Sequence, residues 1–145
     1  MTTAKVLTFS IGSTILAIER TIIEEVFVLS NITRIPVAPP FMNWVANWQG
    51  TIIPVVDLSP FVSEKLKVIV SKKTALAVKA TGQESSFALV VDDIGSNLDL
   101  SPVALPENQL PYFAKGRLFN NDEMIWLVSP AKIEKMVIGH IGKLS

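Results

Sequence analysis

The side chains able to carry acid–base, nucleophilic or metal chemistry are few in this chain, and none sits in a catalytic spacing. The 145 residues contain no cysteine, which removes disulfides, thiolate catalysis and zinc–thiolate sites together. The single histidine, His140, would have to meet a serine and a carboxylate across the fold to form a Ser–His–Asp arrangement. No G-x-S-x-G motif accompanies it, so it reads as a surface or boundary residue. Asp92 and Asp93 are adjacent, and adjacent residues of a strand point to opposite faces. They therefore form no paired acid and base, and capping a turn or sitting in water is left to them. Asp57 follows an apolar run, where a carboxylate either accepts backbone N–H bonds at the strand end or faces a partner. There is no P-loop, dinucleotide fingerprint or calcium loop. These absences argue against an enzyme and imply no cofactor.

Binding chemistry is next. Phe41, Trp44 and Trp48 are close in sequence. Exposed aromatics on a small barrel can stack on bases, but that mechanism also needs interleaved basic residues. The chain balances 13 basic against 13 acidic residues, which favours neither nucleic acid nor an anionic membrane. The aromatics read as core packing or as a hydrophobic protein-contact patch. Lys65, Lys67, Lys72 and Lys73 surround Val68–Val70 and read as a solvated face. No apolar run approaches the roughly 18 residues of a membrane span. Lys5 followed by Val6 to Ile18 mimics a signal peptide, but Thr8, Ser10, Gly12, Ser13 and Thr14 interrupt it. The absence of cysteine fits a reducing compartment, and the expected location is the cytoplasm.

The elements that must position these residues are mostly strands. The stretch from Trp44 to Leu58 is the centre of the pattern: two strands joined at Gly50, with β-branched Ile52, Ile53, Val55 and Val56 in the second. Pro54 lacks an N–H and predicts an edge or a bulge there. Before it, Gly12-Ser13 joins two short strands in a hairpin. Arg20 to Leu29 fits either a helix or a strand, with the β-branched residues favouring strand in its second half. Pro36, Pro39 and Pro40 stiffen a connector. Thr74–Thr81, read as an alternating strand, and the apolar run Phe87–Val91 make another hairpin across a turn at Gly82–Ser85, and Ile94, Leu98 and Leu100 continue as short extended pieces. Pro102, Pro106 and Pro111 punctuate a second connector. Leu118–Phe119 and Met124–Val128 flank a turn at Asn120–Asp122. Ser129-Pro130 is a helix start, and Ile133, Met136, Val137, Ile141 and Leu144 then mark one helical face. About eight to ten short strands and one helix predict a mainly β single domain over residues 1–145, a small barrel or sandwich.

The string Asn47-x-x-Gly50, then Thr51-Ile-x-Pro54-Val55-x-Asp57-Leu58, resembles the signature of the CheW-like domain family, which couples bacterial chemoreceptors to the histidine kinase CheA. The similarity extends through Ile18, Glu25, Arg34, Ile35, Pro39, Phe41 and Val45, and on to Leu89–Asp92, Leu98, Leu100, Tyr112 and the final hairpin and helix. It implies two interleaved SH3-like five-stranded β-barrel lobes sharing a core, a C-terminal α-helix and no catalysis. It also implies two partners, the regulatory domain of a CheA-type kinase and the cytoplasmic tip of a methyl-accepting chemoreceptor. By family position Ile23, Glu25, Gln49 and Ala75 fall on the receptor side, and Asn47 joins them as a partner-binding residue. The chain departs from the family at Gln49, where arginine is usual, at Trp44, where glycine is favoured, and at Lys115, where a glycine is expected. Glutamine offers neither the permanent charge nor the rigid donor fork of arginine. The departures leave open a diverged adaptor for pilus-based motility or another sensory output. A small β-barrel binding a ligand or nucleic acid is the reading outside the family.

Overall fold

The structure is a computed structural model and describes residues 3–36, 40–62, 73–79 and 86–144. Lys65, Lys67, Lys72, the Gly82–Ser85 turn and Pro39 lie outside them.

The chain opens with a hairpin of β1 (Ala4–Ile11) and β2 (Thr14–Glu19). Ile11 stands opposite Thr14, and Gly12 takes φ +60° at the first loop position, a conformation that side chains with a Cβ resist. The ambiguous stretch after it resolves into a 3₁₀ turn, Arg20–Ile22, and then β3 (Ile23–Val28). β4 (Ile32–Arg34), β5 (Trp44–Trp48) and β6 (Thr51–Val56) follow, with one helical turn, α1 (Ser59–Val62), after them. The remaining strands are β7 (Thr74–Lys79), β8 (Ser86–Val91), β9 (Asp93–Leu100), β10 (Ala114–Asn120) and β11 (Glu123–Val128), and α2 (Pro130–Leu144) closes the chain. The eleven strands among the described residues exceed the expected eight to ten. The short β4 lies at the start of the Pro-rich connector, and the extended pieces around Ile94 to Leu100 join into the single strand β9.

The strands form two sheets, one ordered β10-β11-β2-β1-β9 and the other β3-β7-β8-β6-β5-β4. The fold is mainly β, with two SH3-like lobes and a C-terminal helix. The second sheet has six strands rather than five because β4 pairs along β5. All its strands are consecutive in the chain, so the second lobe is an insertion between β2 and β9 of the first. Each sheet contains one parallel pair, β11 with β2 and β6 with β8.

Three apolar clusters fill the fold. Val6, Ala17, Leu118, Ile125 and Leu127 fill the first lobe. Leu29, Ala46, Ile53, Val55, Ala75, Ala88 and Val90 fill the second. The largest lies between them and takes Phe9, Leu16 and Ile18 from the first sheet, Leu76 and Leu89 from the second, Phe113, and Ile133 from α2. β7 and β8 are buried on both faces, one side toward the second lobe's interior and the other toward the shared core. That is why Ala75–Val78 and Phe87–Val91 are nearly continuous apolar runs, and the alternation expected of Thr74–Thr81 does not hold over Ala75–Val78, which are all buried.

Pro54 sits in an interior strand, not on an edge. It lies opposite Val45 of β5, and pairing with β8 begins only at Val55. The missing N–H therefore falls where β6 has one ladder, not two. At the other end of the chain Ser129 Oγ accepts the Lys132 N–H at 3.2 Å, the N-cap that its position before Pro130 predicts. Ile133 and Val137 then face the shared core, 0% and 6% exposed.

Candidate partner-contact site

The β5–β6 hairpin turns through Gln49 and Gly50, with Trp48 opposite Thr51. Both loop residues have positive φ, +51° and +82°, as a type I′ turn requires. The Asn47 side chain completes the turn, its Oδ1 accepting the Gly50 N–H at 3.0 Å. The Asn-x-x-Gly string is thus a self-capped hairpin that holds position 49 in a left-handed, exposed conformation. Asp57 ends the second strand, and its Oδ1 accepts the Ser59 N–H at 2.9 Å. This is the strand-end role considered for it.

β3 meets this hairpin through side chains. Trp48 Nε1–H donates to Glu25 Oε1 at 2.7 Å, and the Trp48 and Phe27 rings lie 6.4 Å apart, tilted by 40°. Along β5, Trp44, Ala46 and Trp48 point into the second lobe, while Asn47 is exposed. An open depression of about 350 Å³ adjoins Trp48, lined by Glu24, Thr51, Ile53, Lys79 and Ser86 as well. Val26, Val28 and Ile52 are apolar yet 48%, 58% and 63% exposed.

The site residues named from the sequence fall in two groups. Glu25, Asn47 and Gln49 are all exposed: Asn47 and Gln49 stand on the rim formed by the β5–β6 hairpin, and Trp48 ties Glu25 of β3 to it. Ile23, at the start of β3, is half-buried and packs against the shared core. Ala75 is fully buried in the second lobe, opposite Phe27, so its methyl supports the rim from within and offers no surface. The aromatic trio divides: Trp44 and Trp48 pack into the second lobe, and Phe41 stacks near Phe61, with ring centroids 5.8 Å apart, at the shared core. Sequence reasoning missed the Trp48–Glu25 hydrogen bond. An indole N–H at a barrel mouth needs an acceptor, but nothing local says that β3 supplies it.

Another expectation needs correction: Lys73 is not part of a solvated face. Asp92 takes the turn-capping role considered for it rather than a place in water. Lys73 Nζ pairs with Asp92 Oδ1 at 2.7 Å, the two side chains only 24% and 17% exposed, and Asp92 Oδ2 accepts the Gly12 N–H at 2.6 Å. Lys115 forms an ion pair with Glu19 across the first lobe, a use for the side chain standing where glycine was expected. Among the described residues no group of three or more His, Cys, Asp or Glu is placed to hold a metal ion. No described helix is long and apolar enough to cross a membrane.

Two small β lobes are packed through a common core, with Glu25, Asn47 and Gln49 exposed at and beside the β5–β6 hairpin. The family model of the CheW-like domain matches residues 5–135, and the chain belongs to that family. The crystal structure of the scaffolding protein TtCheW from Thermoanaerobacter tengcongensis is similar, with a TM-score of 0.74 and 24% identity over 89% of this chain and 90% of that one. No curated protein sequence matches the chain.

Proposed function

We propose that the protein is a non-catalytic cytoplasmic adaptor that couples a chemoreceptor to a CheA-type histidine kinase. The observation that carries this reading is membership of the CheW-like family over residues 5–135. Within that frame Ile23, Glu25, Asn47 and Gln49 contact the receptor tip, and Ala75 holds the strand beneath them in place. The mechanism needs no chemistry. A receptor that changes its contacts between two states biases the kinase by the difference in binding free energy that the adaptor transmits. Calorimetric titration of the protein against each partner separately, the kinase regulatory domain and the receptor tip from the same genome, tests the reading. Binding of each at micromolar Kd, about −8 kcal/mol, is the expected outcome. Absence of binding to both overturns it.

Gln49 favours a second reading, an adaptor of this family serving pilus-based motility or another output. Its receptor would present a neutral residue opposite Gln49, and a receptor tip with a carboxylate there that binds as tightly as any other rules this reading out.

A further inference from the structure

We propose that Trp48 is a positioning residue for receptor binding, holding the Glu25 carboxylate so that its second oxygen accepts an N–H donor from the receptor tip. The inference rests on the adaptor reading above and specifies the chemistry of its receptor contact.

β3 begins the six-stranded sheet and β5 is next to its other end. β3 pairs with β7, and β5 pairs with β4 and β6. No backbone ladder joins β3 to β5 among the described residues. The Trp48–Glu25 hydrogen bond, 2.7 Å long, crosses that gap. The indole is a firm base for it, because its ring contacts Phe27 and packs against the second lobe's core. Glu25 is exposed, and a free glutamate at such a place samples many rotamers whose loss on binding weakens affinity. A charge-assisted bond from a partly buried indole removes part of that disorder beforehand.

The indole N–H donates and cannot accept. It therefore holds Oε1 and leaves Oε2 of this exposed residue as the acceptor offered to a partner. Beside it, the I′ turn holds Gln49, which is neutral and brings no cation. The rim thus presents one pre-oriented carboxylate and one amide, with Glu24 and Lys79 lining the adjoining depression. The group it fits on a helical receptor tip is a donor: an arginine, a lysine or an amide N–H.

The test compares wild type, Trp48→Phe, Glu25→Gln and the double variant in calorimetric titrations with the cytoplasmic tip fragment of a chemoreceptor from the same genome. Phenylalanine keeps the ring contact and deletes the donor. Each single variant is expected to bind about tenfold more weakly, the scale of one charge-assisted hydrogen bond. The double variant is expected to bind no more weakly than Glu25→Gln alone. In nitrogen-15 spectra, the indole resonance missing from Trp48→Phe is expected to move in Glu25→Gln and on adding the fragment to wild type. Tight binding by Trp48→Phe equal to wild type, or effects that simply add, overturns the inference and leaves the adaptor reading standing. A wild-type protein that does not bind the fragment overturns both. Should Trp48→Phe fail to fold, Glu25→Gln decides: a tenfold loss with a displaced indole resonance supports the inference, and unchanged affinity overturns it.

Discussion

Gln49 shows how one residue can carry two demands. Its φ of +51° belongs to the left-handed region, which asparagine and glycine enter more easily than glutamine. Gln49→Asn should therefore stabilise the fold by about 0.5 kcal/mol, read as a higher urea midpoint. The same change shortens the side chain on the rim and should weaken receptor binding, so stability and affinity move in opposite directions. Asp92 is the opposite case, a carboxylate used inside the fold. It receives the Gly12 N–H and the Lys73 ammonium at once, tying the first hairpin to the start of β7. Asp92→Ala should destabilise the protein by about 2–3 kcal/mol in urea unfolding, because it leaves a half-buried cation and a turn N–H without their acceptor. The contrast also shows what a residue discloses in sequence. Asp57 serves an N–H two positions on, and its place at a strand end made that one of the two roles open to it. Asp92 serves a glycine 80 positions away, and no local pattern encodes such a contact.

At the scale of elements, β1 and β9 show how a sheet bends. Leu7 faces Asn97 and Phe9 faces Ile94, so Thr8 alone opposes Gly95 and Ser96 in a bulge on β9. Thr8 Oγ1 accepts the Ser96 N–H at 2.8 Å and donates to the Ser96 carbonyl at 3.2 Å. A Cβ on Gly95 would overlap Thr8 Oγ1 and reach within 3.0 Å of its carbonyl oxygen, so glycine is required there by space. Thr8→Val keeps the shape and removes both bonds, and should cost about 1–3 kcal/mol in thermal or urea unfolding. Neither the bulge nor the length of β9 was legible, because only Ile94, Leu98 and Leu100 are apolar in this stretch and they read as separate short extended pieces. Hairpins with their own turn residues, such as Gln49-Gly50 and Gly12-Ser13, were legible, as was the Ser129 cap. The parallel pairs β11–β2 and β6–β8 were not, since their partners are distant in sequence and no turn announces them.

For the molecule as a whole, the decisive feature is that the second lobe is inserted within the first and that the largest core lies between them. Phe9, Leu76, Phe113 and Ile133, all 2% exposed or less, come from different parts of the chain and meet there. Folding should accordingly be cooperative across both lobes. Trp fluorescence, which reports Trp44 and Trp48 in the second lobe and Trp126 at the shared core, and far-ultraviolet circular dichroism should give coincident urea transitions. Ile133→Ala should lower that common transition by about 2–5 kcal/mol rather than detach the helix alone. The mainly β class, the two lobes and the terminal helix were readable from turn spacing and from the family string, while the insertion topology emerged only from strand pairing. A common core also suits an adaptor, since a rigid body passes a displacement at one surface to another with little loss.

Sedimentation of three components, the unmodified protein, the kinase regulatory domain and the receptor tip fragment, decides whether the protein bridges the other two. Kinase domain and receptor fragment are expected to move as one species when the protein is present, and separately when it is left out. Components that migrate independently in the full mixture, at concentrations well above micromolar, would contradict the adaptor reading.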